Sequence, residues 1–118
     1  MARAREAGPA ASDLIPLHPH DFRILMAVVE APSYGTEIVR VIEAAEQGPK
    51  LYPANLFRRI RDLLRRGLLE ECPAPEGADP RRSYVRLTQM GRQTAQAEAR
   101  RLRDLVSAAA ALDLLPGG

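Results

Sequence analysis

The sequence has no tryptophan, one cysteine, two histidines, two phenylalanines and three tyrosines. The single Cys72 excludes an intrachain disulfide, and with it the disulfide-framed scaffolds of small secreted domains. A reducing, cytoplasmic setting is the expectation. His18 and His20 fall short of the three or four converging ligands that a metal site needs, so no metal or other cofactor is expected. His18 reads instead as a helix cap or surface residue, and Cys72 as a half-buried strand residue. No stretch approaches the roughly 18 uninterrupted apolar residues of a membrane span. The opening MARAREAGPAASDLIP lacks the apolar centre of a signal peptide. No nucleophile is paired with a histidine in a recognisable motif, and no glycine-rich phosphate loop is present; PAPEGADP has the turn formers but neither the lysine nor the run of N–H donors. An enzyme is not expected, nor is a membrane partner. So few rings also leave no obvious aromatic clamp for a flat ligand.

What is present is arginine, unevenly placed. The chain of 118 residues suits one domain, and 46% apolar with 27% charged residues is ordinary for a folded one. The net charge of +2 conceals an asymmetry. Residues 1–57 carry 5 basic and 7 acidic side chains, whereas residues 58–118 carry 12 and 8, every one of the 12 an arginine. Five of them fall within LYPANLFRRIRDLLRRGLLEE, residues 51–71. A guanidinium suits bidentate contact with phosphate or guanine.

Residues 1–16 show little periodicity and read as a flexible N-terminal arm. LHPHDFRILMAVVEAP reads as a helix, with Phe22, Leu25, Met26 and Val29 on one face, Pro19 in its first turn and Pro32 as its stop. In SYGTEIVRVIEAAEQG, Ser33 is a plausible N-cap and Tyr34, Ile38, Val41, Ile42 and Ala45 share a face, with Gly48-Pro49 ending the helix. A third helix is predicted from about Pro53 to Arg66, closed by Gly67. On it Leu56, Phe57, Ile60, Leu63 and Leu64 form one arc. Arg58, Asp62 and Arg65 lie opposite, flanked by Asn55, Arg59, Arg61 and Arg66. LLEEC and RRSYVRLT read as strands joined by the proline-rich loop PAPEGADP, with Ser83, Val85 and Leu87 alternating against Tyr84 and Arg86. Thr88 caps a final helix that reaches about Leu115 before Pro116-Gly117. Three helices, a hairpin and a further helix is the order of a winged helix-turn-helix: mainly α with a small β-hairpin, the third helix for recognition and the hairpin loop as wing.

Three motifs then point to a family. YGTEI is similar to the Y/H-G-Y-E-I of PadR-type transcriptional regulators. LFRRIRDLLRRGLL resembles their L-Y-x-A-L-x-x-L-x-x-x-G-L-I, with Leu56, Ile60, Leu63, Gly67 and Leu68 in register. RRSYVRLTQMGR resembles their R-x-Y-Y-x-L-T-x-x-G-R. The resemblance runs from about Leu17 to Leu115. Phe57 stands where the family often has Tyr, Ala54-Asn55 replaces a Gly/Ser-Thr pair, and Thr36 replaces an aromatic. The single C-terminal helix is that of the shorter subfamily, in which it is the dimerisation element.

The resemblance implies a winged-helix DNA-binding domain over residues 17–87 and a C-terminal dimerisation helix over 88–118. It also implies a DNA-binding regulator, most simply a repressor, that holds double-stranded DNA as a homodimer. A winged helix used as a protein-interaction module without DNA binding is the alternative. Within the third helix, Asp62 is the only acid between Asn55 and Arg66; like charges on one face argue for an anionic partner over a merely solvated face. Asn55 and Arg58, near the start of the helix, suit base edges; Arg59 and Arg61 flank them; Arg65 and Arg66 lie too far along and are expected to meet phosphate or solvent. Arg81 and Arg82 suit phosphate or a narrow minor groove, although charge on an edge strand also blocks strand addition. Lys50 and Tyr52 are candidate phosphate anchors, Tyr52 equally a core residue. Leu102, Leu105, Val106, Ala109 and Leu112 form a stripe expected at the dimer seam. A small-molecule effector, where there is one, is expected against Phe22, Met26, Leu102 and Val106.

Overall fold

The computed structural model describes residues 10–45 and 53–115. After a 3-10 turn, Ala11–Leu14, the elements are α1 (Pro19–Ala27), β1 (Ser33–Tyr34), α2 (Gly35–Ala45), α3 (Pro53–Arg65), β2 (Leu69–Cys72), β3 (Tyr84–Leu87) and α4 (Gln89–Ala111). Four helices and a three-stranded antiparallel sheet form the mainly α winged-helix fold, with strand order β1-β3-β2.

Local chemistry fixes most boundaries. His18 caps α1 by accepting the His20 N–H on Nδ1 at 3.1 Å, and Pro19 takes the first helical position. The helix stops at Ala27, well before Pro32. Its buried arc is centred on Asp21, Ile24 and Leu25, because α1 packs on α2, α3 and α4 at once. Met26, expected in the core, is 49% exposed. Gly67 closes α3 with φ +78°, a conformation that costs a residue with a Cβ about 1–2 kcal/mol. Leu68 N–H then reaches back to the Leu63 carbonyl at 3.0 Å.

The sheet departs from the two-stranded expectation. Ser33 does not cap α2; Ser33 and Tyr34 pair with Val85 and Tyr84 as a short third strand, and α2 begins at Gly35. Tyr84 is therefore covered on both sides, by β1 and β2, with its ring edge-on to Tyr34 at 5.4 Å. Tyr84 and Val85 are both buried, which breaks the simple in–out alternation. On α2, Ile38 and Ile42 of the predicted face are buried, but Val39 is buried with them and Val41 and Ala45 face out.

Thr88 joins three elements. Its hydroxyl donates to the Gly67 carbonyl at 2.6 Å and accepts the Gly91 N–H at 2.9 Å, so the end of α3, the end of the wing and the start of α4 share one side chain. Gly91 lies so close to the Leu68 carbonyl that a Cβ would collide with it. The core consists of Leu17, Ile24, Leu25, Val28, Ile38, Val39, Ile42, Leu56, Ile60, Leu63, Leu68, Leu69, Val85 and Ala95. Leu14 and Ile15 pack against it. The arm expected through residue 16 is thus a packed turn within residues 10–16; residues 1–9 lie outside the described residues.

Only the first half of α4 is buried, at Gly91, Thr94, Ala95 and Glu98. The helix ends at Ala111, with Leu112 as C-cap and Asp113 at φ 62°, four residues short of the predicted end. At 1.5 Å per residue it is about 35 Å long.

Candidate nucleic-acid interface

The five arginines of the third-helix segment do not share one environment. Asn55, Arg58 and Arg61, spaced by three residues, are exposed along one side of α3. Arg58 Nη2 donates to Asn55 Oδ1 at 2.9 Å, a neutral partner that leaves the guanidinium charge uncompensated. Arg61 makes no ion pair with the described residues. The other three are held by carboxylates. Arg59 Nη1 lies 3.2 Å from Asp21 Oδ1. Arg66 Nη1 lies 3.0 Å from Asp62 Oδ2 and 3.6 Å from Asp21 Oδ2. Arg65 lies 3.4 Å from Asp62. Bonding to Arg66, then to Arg65, holds the Asp62 carboxyl below the ordinary aspartate range.

Asp21 is a buried acid on α1, and it holds Arg59 half-buried against the protein, with Arg66 at the edge of its reach. Partial burial, and then the Arg59 charge, push the neighbouring His18 imidazole below its ordinary pKa. Sequence spacing alone missed this pairing because Asp21 and Arg59 are 38 residues apart. The one available signal was an acid among the apolar positions of α1.

On the wing, Arg81 Nε bonds Asp79 Oδ1 at 3.1 Å, and Arg82 Nε lies 3.9 Å from Asp79 Oδ2. Bonds from the Arg81 side chain, then from its backbone N–H, hold the Asp79 carboxyl below its usual range. The Arg82 guanidinium also stacks over the Tyr34 ring, 4.4 Å from its centroid. The next residue, Gly35, faces the Phe57 ring so closely that a Cβ there would overlap it. The dipeptide Tyr34–Gly35 is thus flanked by the wing on one side and by α3, one residue before Arg58, on the other. The wing and α3 both contact the segment that leads into α2. At the far end of the wing, Arg86 Nε pairs with Glu70 across the strands at 2.8 Å.

Lys50 and Tyr52 lie outside the described residues. Leu105, Val106 and Leu112 are 59%, 52% and 72% exposed, while Leu102 and Ala109 are half-buried. The candidate effector residues are not gathered into one cavity within a single chain. Met26 lines an apolar groove between α1 and α2, of about 190 Å³, with Arg23, Ala27, Val41, Ile42 and Ala45. Phe22 packs against the core, and Leu102 and Val106 lie on the α4 stripe. Cys72 is half-buried, as predicted. No helix among the described residues is long and apolar enough to cross a membrane.

Solved structures share this arrangement. A PadR family transcription regulator from hypervirulent Clostridium difficile R20291 aligns with a TM-score of 0.68 at 18% identity, over 80% of this chain and 98% of that one. Bacillus subtilis PadR, solved in complex with operator DNA, aligns with a TM-score of 0.58 at 16% identity, over 69% and 46%. The Adhesin competence repressor of Streptococcus pyogenes aligns with a TM-score of 0.60 at 17% identity, over 86% and 69%. At these identities the likeness concerns the fold alone. No curated protein sequence matches the chain. The family model described as "Transcriptional regulator PadR-like family" matches residues 24–97, from the middle of α1 through the first turns of α4, and so takes in α3 and the wing. The chain belongs to the PadR-like family of transcriptional regulators, a family of regulators and not of enzymes.

Proposed function

We propose that the chain represses transcription as a homodimer, reading duplex DNA with Asn55, Arg58 and Arg61 and holding phosphates with Arg81 and Arg82. The observation that carries this reading is the exposed row of Asn55, Arg58 and Arg61 along one side of α3, beside a wing whose Arg82 stacks on Tyr34 just before α2. Arginine and asparagine donor patterns match guanine and adenine edges in the major groove, and the wing arginines suit phosphate or minor groove. Arg59 is set apart from this group because its charge is engaged by Asp21. The exposed stripe of α4 supports the dimer, since an apolar strip left in water favours association. A dimer seated on a promoter blocks polymerase by occupancy, hence repression. An effector acts on such a dimer at the seam, and only if it binds one spacing of the recognition helices better than another.

The test is salt. Duplex binding at low salt that weakens linearly in log–log form as salt rises supports the regulator. Absence of duplex binding at low salt would favour a protein-interaction module instead.

A further inference from the structure

Asp21 has no part in the proposed contact with DNA, yet it is a buried acid that bonds an arginine of α3. Its Oδ1 accepts from Arg59 Nη1 at 3.2 Å, while Arg66, just past the end of α3, lies 3.6 Å from Oδ2 and is bonded instead by Asp62 at 3.0 Å. The Asp21–Arg59 bond ties the middle of α3 to α1. With Arg59 half-buried against it, Asn55, Arg58 and Arg61 are left on the exposed side.

We propose that Asp21 is a positioning residue that sets the specificity of the recognition helix by withholding Arg59 from DNA phosphates. The inference rests on the DNA-binding reading above. Its logic is the division of labour in DNA recognition. Affinity for any sequence grows with the number of guanidiniums that reach phosphate, whereas discrimination comes from base edges. A carboxylate that occupies a guanidinium lowers the first and leaves the second intact. An ordinary structural ion pair would behave differently: its loss would loosen the fold and weaken binding to every duplex alike.

The experiment uses the full chain and two duplexes, one enriched by the wild-type chain from a random library and one with the same bases scrambled. Binding is followed across a salt series. Asp21→Asn should tighten binding to the scrambled duplex, lower the enriched-to-scrambled affinity ratio by about fivefold or more, and steepen the salt slope by about 0.9, the value for one added phosphate contact. Asp21→Glu, which keeps the charge, should restore the wild-type slope. Arg59→Ala alone should leave the slope unchanged, because Arg59 is already withheld. In the Asp21→Asn background the same change should remove about one unit of slope. A flatter slope for Arg59→Ala alone overturns the proposal, and does so even if Asp21→Asn fails to fold. A folded Asp21→Asn variant that loses affinity equally for both duplexes at constant slope also overturns it. Wild-type protein that enriches no duplex at low salt removes the DNA-binding reading itself, and this inference with it.

Discussion

Arg58 donates to the neutral amide oxygen of Asn55, while Arg59, one residue on, is held by the buried Asp21 carboxylate. Adjacent arginines thus have different tasks, and substitution should separate them. Arg58→Ala should weaken binding to the specific site by about 1–3 kcal/mol and leave scrambled duplex almost untouched. Arg81→Ala or Arg82→Ala should instead weaken both duplexes and lower the salt slope by about 1. Equal losses on both duplexes for Arg58→Ala would reassign it to phosphate. Away from DNA, Gly91→Ala should destabilise the fold by about 1–3 kcal/mol, as an added methyl meets the Leu68 carbonyl where α4 seats on the wing. A melting temperature equal to wild type would contradict that contact.

At the scale of elements, α4 does two jobs along its length. Its first half is buried, and Glu98 there is 2% exposed, bonded by Arg101 at 2.8 and 2.7 Å. The Arg101 guanidinium holds the Glu98 carboxyl below its ordinary 4.5, burial works against this, and a bond from the Leu17 backbone N–H adds to it. A depressed folded pKa means stabilisation that is full above 4.5 and lost as pH falls through the lower folded value. The melting-temperature gap between wild type and Glu98→Gln should therefore be open at neutral pH and close well below pH 4.5. A gap that stays constant across that range would detach Glu98 from the acid response. The second half carries the exposed stripe. A charge in it, Leu105→Glu, or truncation after Arg101, should shift a dimer to monomer in sedimentation or light scattering, with the melting temperature lowered. A truncated form that remained a well-folded dimer would move the seam elsewhere.

For the whole molecule, the consequence of two-fold symmetry is spacing. Two copies joined through α4 would present two recognition helices, and half-sites should lie roughly 34 Å, one helical turn, apart. Inserting five base pairs between the half-sites should turn one of them to the far face of the duplex and lower affinity by about 10-fold or more, each 1.4 kcal/mol of lost contact being tenfold. Footprinting on the lengthened site would report it, and undiminished binding would mean that the copies bind independently.

Local signals along the chain were enough for the helices and the family. Apolar spacing marked α1, α2 and α3, Gly67 marked the end of α3, and Thr88 the start of α4, because caps and periodicity are local signals that a few neighbouring residues decide. The three motifs carried the resemblance that the family match over residues 24–97 bears out. What tertiary structure decided was pairing. Ser33 reads locally as a cap and becomes a strand because β3 lies beside it. Met26 and Val41 read as core, but each helix meets several neighbours, and the buried arc follows their positions rather than the best apolar stripe. The row of arginines reads as one uncompensated face. One of its members, Arg59, is neutralised by Asp21, a residue on another helix, and a carboxylate 38 positions away leaves no trace in spacing. Charge of one sign along a helix is written in the sequence, but which of those charges remain free to meet a partner is set by what the fold brings against them.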